Sequence, residues 1–146
     1  HEGALVANYP YDGSESRRAT YAAAPDDKLF AFLAGEYAKG HRHMSRSRHF
    51  RGGVTNGAQW YPLYGGFQDW DYLVNGCLHL TVEQNDAKWP AAGQHAALWD
   101  DHRPGMVAAM EAALFAGVSG TVTDTGGRPV AGAEVTVDGA GGRQAA

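Results

Sequence analysis

Short apolar runs that end at chain-breaking residues alternate along this chain with longer runs of helical period. That alternation reads as short strands interspersed with helices. Leu5-Val6-Ala7-Asn8-Tyr9 reads as a buried-type strand stopped by Pro10, which has no N–H to give a ladder. Asp12 to Thr20 is polar and holds Arg17 and Arg18, so it reads as an exposed loop. Pro25-Asp26-Asp27 opens a helix, with acidic groups facing the positive end of its dipole. Leu29, Phe30, Leu33 and Tyr37 carry that helix to about His43. Cys77 to Glu83 is a second strand. His95 to Phe115 is a second long helix, with Leu98, Val107, Met110 and Leu114 as its apolar positions and Pro104 inside it.

Between these elements, Met44 to Phe50 is basic and Ser-rich and reads as solvated. Gly52 to Gly66 is rich in glycine and aromatic residues without helical period. It reads as a long shaped loop, and an ordered loop of that length usually binds something. Asp69 to Gly76 forms a short helix. After Gly117 the pattern changes: Val118 to Asp124 and Val130 to Val137 alternate around Gly126-Gly127, a hairpin or the first strands of a separate β module. The formal charge of -4 over 146 residues, with both signs mixed, argues against a nucleic-acid binder. No apolar run approaches a membrane span, and the single cysteine, Cys77, excludes an internal disulfide.

Metal-assisted hydrolysis needs a Lewis acid, a water and a carboxylate base. The histidines stand at 1, 41, 43, 49, 79, 95 and 102, and no two form His-x-x-x-His. His41, His43, His49, His95 and His102 read as surface residues, and His79 as packed or hydrogen-bonded within a strand. His1 is unremarkable by spacing alone. Glu83 closes an apolar strand, where open α/β sheets place their chemistry. A carboxylate there is unfavourable to bury unless paired or used, so both a structural and a functional role stay open. Tyr61 beside Trp60 carries the same two readings. Asp69 and Asp71 invite a metal, but helix capping and surface charge account for them.

The segments His1 to Asp12, Ala24 to Phe30, Gly52 to Tyr61, Gly65 to Leu73, Thr81 to Glu83 and Lys88 to Pro90, taken in order, resemble the carboxypeptidase N/E-like branch of the zinc metallocarboxypeptidases. The resemblance implies an α/β architecture: part of the mixed-sheet, three-layer α/β/α catalytic fold over residues 1–116. Residues 117–146 would begin a transthyretin-like β-sandwich. Carried over by motif, His1 matches a zinc ligand and Glu83 the general base. Tyr61 matches a mobile tyrosine that closes on substrate. Asp12 and Gln68 match positions lining the pocket for a basic C-terminal side chain, with Asn8 and Trp60 shaping it. The abrupt start at His1 reads as a cut from a longer protein. One zinc ion per catalytic domain is implied, its other ligands and the substrate-gripping arginines lying upstream of His1.

The function this implies is hydrolysis of the C-terminal peptide bond, releasing Lys or Arg from peptides or proteins. The isolated chain is expected to be inactive, to bind zinc weakly and to leave apolar surface uncovered. The parent is expected to be a monomer in the extracellular, secretory or periplasmic space. The alternative is a non-catalytic peptide-binding or adhesion-like member of the same fold. Glu2 stands where the family usually has glycine, and no cysteine follows Glu83 closely as it commonly does in the family.

Overall fold

The computed structural model describes residues 3–117 and 119–136. Its elements are β1 (Ala4–Tyr9), α1 (Asp27–Gly40), β2 (Val54–Asn56), α2 (Gly57–Trp60), α3 (Phe67–Asn75), β3 (Thr81–Asn85) and α4 (His95–Phe115). Short 3-10 turns lie at Met44–Arg46, Arg51–Gly53 and Ala92–Gln94. The three strands form one mixed sheet with β1 in the centre, β2 parallel to it and β3 antiparallel. A central strand meets neighbours on both sides, which is why β1 is apolar at almost every position.

The period-two geometry of β1 divides the molecule. Ala7 and Tyr9 face a core built with Phe30, Ala34, Tyr37 and Ala38 of α1, with Val82, Met106 and Ala109 packed against it. Val6 and Asn8 point the other way, and their partners in β3 are Glu83 and Thr81. That opposite face carries the candidate site.

Helix α1 stops at Gly40, three residues before the expected end. His41 leaves the helix in extended conformation while its N–H still donates to the Tyr37 carbonyl. Its ring Nδ1 accepts from the backbone N–H groups of His43 and Met44, an arrangement that replaces further helical turns. Helix α4 has the expected bounds and contains Pro104, but a different face is buried. His102, Gly105, Met106 and Ala109 lie inward at helical spacing, whereas Val107, Met110 and Leu114 are exposed. The small residue decides this: α1 and α4 touch backbone to backbone, and a Cβ on Gly105 would lie 2.6 Å from the Tyr37 carbonyl oxygen. Trp99 and Phe115 are also exposed on α4, as are Phe67, Leu73 and Val74 on α3.

Several other expectations change. The strand expected over Cys77–Glu83 is Thr81–Asn85, because β1 ends where Pro10 interrupts it and leaves nothing for residues before Thr81 to pair with. Glu83 is therefore mid-strand, opposite Val6, and not at a strand end. The supposed loop Gly52–Gly66 contains β2 and α2; only its second part, after Trp60, is irregular. Asn56, fully buried, organises the junction. Its Oδ1 accepts from the N–H groups of Ala22 and Gln59, and its amide donates to the carbonyls of Pro10 and Ala22. Met44 is fully buried, so the basic segment that starts there is anchored at its first residue.

Among the described residues beyond Gly117, an antiparallel bridge joins Thr123 to Pro129. Asp124 holds the turn between them by accepting from the N–H groups of Gly126 and Arg128. Among the described residues, no helix is long and apolar enough to cross a membrane.

Candidate active site

Asn8, Asp12, Tyr61, Gln68 and Glu83 line one cavity of about 180 Å³, together with Thr81, Gly57, Leu63, Gly66 and Phe67. Residues from β1, β3, α3 and the turn after α2 thus converge from 75 positions of sequence. Glu83 and Asn8 come from adjacent strands on the same sheet face. Asp12 lies just past the end of β1, and Gln68 is in the first turn of α3. Tyr61 ends α2 at the mouth, 40% exposed, with its N–H donating to the Gly57 carbonyl.

Asp12 is the centre of the cavity's polar groups. It is 8% exposed, and its Oδ1 accepts from Asn8 Nδ2 and from Gln68 Nε2, each at 3.1 Å. Gly57 makes room for it, since a Cβ there would overlap Asp12 Oδ1. Burial pushes the Asp12 carboxyl up to about 6; the Asn8 hydrogen bond pulls it down, Asp69 pushes it up, and His79 pulls it down. Each of the two amides donates to Asp12. Their carbonyl oxygens, Asn8 Oδ1 and Gln68 Oε1, are buried without a hydrogen-bond partner. The cavity wall therefore holds a buried carboxyl group and two amide oxygens with unused acceptor capacity.

Other expected residues fall elsewhere. Trp60 is outside this cavity: it packs edge-on against Phe50 and Tyr61, with ring centroids 5.0 and 4.8 Å away, and lines a separate depression with His49 and Asp86. His1 and Glu2 lie outside the described residues. Among the described residues, no three His, Cys, Asp or Glu side chains come together to hold a metal ion. They do not make a zinc site by themselves, and no metal-dependent step follows from their geometry.

Sequence reasoning undervalued three groups. Asp69 neither caps its helix nor sits idle on the surface. Its carboxylate accepts from the backbone N–H of Asp12 at 2.8 and 3.0 Å and from that of Gly13 at 3.0 Å. His41 and His102 are buried, at 3% and 2% exposure, and stack edge to face with centroids 4.2 Å apart. His102 bonds the Tyr37 hydroxyl at 2.9 Å and the Gln84 carbonyl at 2.8 Å, tying α4 to α1 and β3. No spacing rule reveals the contacts of Asp69 with Asp12, of His41 with His102 or of His102 with Tyr37 and Gln84, because these partners are distant in sequence. His79 is hydrogen-bonded as expected, to Asp71 at 3.0 Å.

The structure is a mixed α/β domain with Glu83 buried on one strand and the carboxyl of Asp12 in the same cavity. Residues 1–105 match the zinc carboxypeptidase family model, and the chain belongs to that family. It is 50% identical to carboxypeptidase SOL1 of Arabidopsis thaliana over 84% of this chain and 25% of that protein. It is 38% identical to carboxypeptidase D of Drosophila melanogaster over 96% of this chain and 12% of that protein. With carboxypeptidase E of Caenorhabditis elegans the identity is 40%, over 70% of this chain and 25% of that protein. The chain spans a quarter or less of these relatives' lengths.

Proposed function

We propose that this chain is the part of a zinc-dependent metallocarboxypeptidase that supplies the general base and the pocket for the C-terminal side chain, and that the whole enzyme releases C-terminal Lys or Arg. The observation that carries the specificity is the acceptor surplus around Asp12. A guanidinium brings five N–H donors and an ammonium three; either satisfies the carboxylate and the two orphaned amide oxygens, and the cation restores the charged form of Asp12. A leucine side chain gives the two amide oxygens no donor and Asp12 no countercharge, which penalises it.

Glu83, buried on the same cavity wall, is the general base. It takes a proton from the attacking water and passes it to the leaving amine, a role that needs a carboxylate within one hydrogen bond of that water. Tyr61, half-exposed at the mouth between glycine-bearing turns, closes over the substrate. Zinc supplies a water of lowered pKa when bound; His1 is the ligand this chain would contribute, with the others coming from the rest of the enzyme. Residues 1–116 belong to a three-layer catalytic domain, and residues 117–146 open a β-sandwich. The enzyme works as a monomer in the secretory, extracellular or periplasmic space.

The test compares kcat/KM for peptides ending in Arg, Lys and Leu, using the full-length zinc-loaded enzyme and its Asp12→Ala variant. Basic termini should be preferred by the parent and lose at least about a hundredfold in the variant, as a buried cation loses its partner. Equal rates on Arg and Leu in the parent would refute the reading.

A further inference from the structure

We propose that Asp69 is a positioning residue for substrate selection: by gripping the backbone of Asp12 and Gly13, it fixes where the Asp12 carboxyl sits in the pocket. The inference rests on the reading of Asp12 as the group that meets the basic side chain.

Asp12 follows β1 by three residues and lies on irregular chain, so no strand ladder holds it. Its main-chain restraints come from elsewhere. The Asp12 carbonyl accepts from the Leu63 N–H at 2.9 Å, and the Asp12 N–H donates to both oxygens of Asp69. The Gly13 N–H donates to the same carboxylate at 3.0 Å. Consecutive residues of α3 therefore do two jobs. Gln68 binds the Asp12 side chain, and Asp69 binds its backbone. If α3 shifts, the side-chain donor and the backbone clamp shift together, so the Asp12–Gln68 distance is preserved.

The chemistry explains why the clamp is a carboxylate. Two adjacent N–H groups need acceptors only, and an ionised carboxylate is acceptor on both oxygens. Asparagine cannot substitute cleanly, because its NH2 would face an N–H donor across about 3 Å. The negative charge has a second consequence. It opposes ionisation of Asp12 in the empty pocket and is countered when a cation enters. Asp69 does not line the cavity, so it acts on the substrate only through Asp12.

The test uses the full-length zinc-loaded enzyme with Asp69→Asn, Asp69→Glu and Asp12→Ala, each assayed on Arg- and Leu-ended peptides from pH 5 to 8. Asp69→Asn should reduce the Arg-to-Leu ratio of kcat/KM by about tenfold or more, with the loss in KM for the Arg peptide, since misplacement on the order of 1 Å is enough for such an effect. Its acid limb for the Arg peptide should also shift, because the charge beside Asp12 is gone. Asp69→Glu, which keeps charge and acceptors, should restore part of the ratio. A purely structural role would lower kcat/KM for both peptides alike and leave the limb where it was; that result overturns the proposal. If Asp69→Asn does not fold, Asp69→Glu decides alone: a changed Arg-to-Leu ratio supports the clamp, and an unchanged ratio overturns it. Asp12→Ala separates the two ideas. Should that variant leave the ratio intact, the pocket reading itself fails; should it collapse the ratio while both Asp69 variants preserve it, only the clamp fails.

Discussion

Lowering the pH should weaken this protein through one histidine. His41 sits at the C-terminal end of α1, against α4, and is 3% exposed. Its Nδ1 already accepts two backbone N–H groups, so in the neutral ring the proton is on Nε2, and a second proton would have to displace both bonds. Burial first and then the facing His102 hold its pKa down to about 4; Asp101 opposes them, and His43 adds a smaller push downward. Arg42 partly occupies Asp101 at 3.3 Å. Tyr37 on α1 is committed to His102.

The unfolded chain protonates His41 near its ordinary 6.5, whereas the folded chain resists until about 4. Protons thus favour the unfolded state, and stability falls as pH drops from 6.5 toward 4. At about 1.4 kcal/mol per pKa unit, the full loss is about 3 kcal/mol, and about 2 kcal/mol is already lost at pH 5. Urea unfolding of the intact protein and its His41→Asn variant, followed by tryptophan fluorescence at pH 7.5 and 5, isolates this contribution. The difference in unfolding free energy between the two proteins should change by about 2 kcal/mol between those pH values. A difference that stays constant would refute the assignment, since other titrating groups cancel in the comparison.

Gly57→Ala should abolish the preference for basic termini, because the added methyl overlaps Asp12 Oδ1; a variant that keeps its Arg-to-Leu ratio would show that the pocket relaxes freely. Asp12 must be ionised to receive a cation, so KM for an Arg-ended peptide should rise as pH falls through about 6, while a Leu-ended peptide shows no such limb. Parallel pH profiles for the two peptides would count against Asp12. The 146-residue chain, dialysed against zinc and assayed by atomic absorption, should retain well under one equivalent, since no three-ligand cluster forms among the described residues. Retention of a full equivalent would contradict this.

What the sequence revealed of the fold follows from the range of the forces involved. Helix α4 was legible to its end residues, even through Pro104, because helical hydrogen bonds are local and their signals sit within a few residues. Its buried face was not. A hydrophobicity pattern favours Met110 and Leu114, but the close approach of α1 selects Gly105 and the neighbouring His102, residues that look polar or featureless in one dimension. β2 was hidden for the same reason. Three residues, Val54 to Asn56, become a strand only because β1 pairs with them from 47 positions away. Likewise, Pro10 fixes the end of β1, and through the antiparallel register that same proline sets where β3 starts.

The site divides along the same line. Glu83 and Tyr61 stand out by position alone, whereas Asn8, Asp12 and Gln68 are nameable only from motif order; all five line one cavity. A carboxylate's role depends on its neighbours, and the neighbours of Asp12 come from positions 8, 57, 68 and 69. The same dependence misled the reading of Asp69. At the start of a helix an acid is ordinarily explained by capping or surface charge, and that explanation needs no distant partner. The partner exists, 57 residues earlier, and it is the backbone of the residue that the pocket is built around. A helix-start acid whose loss harms selectivity more than helix stability is therefore the signature to look for. It follows from a general asymmetry: local rules account for where a charged residue is tolerated, and only the assembled fold shows what it is holding.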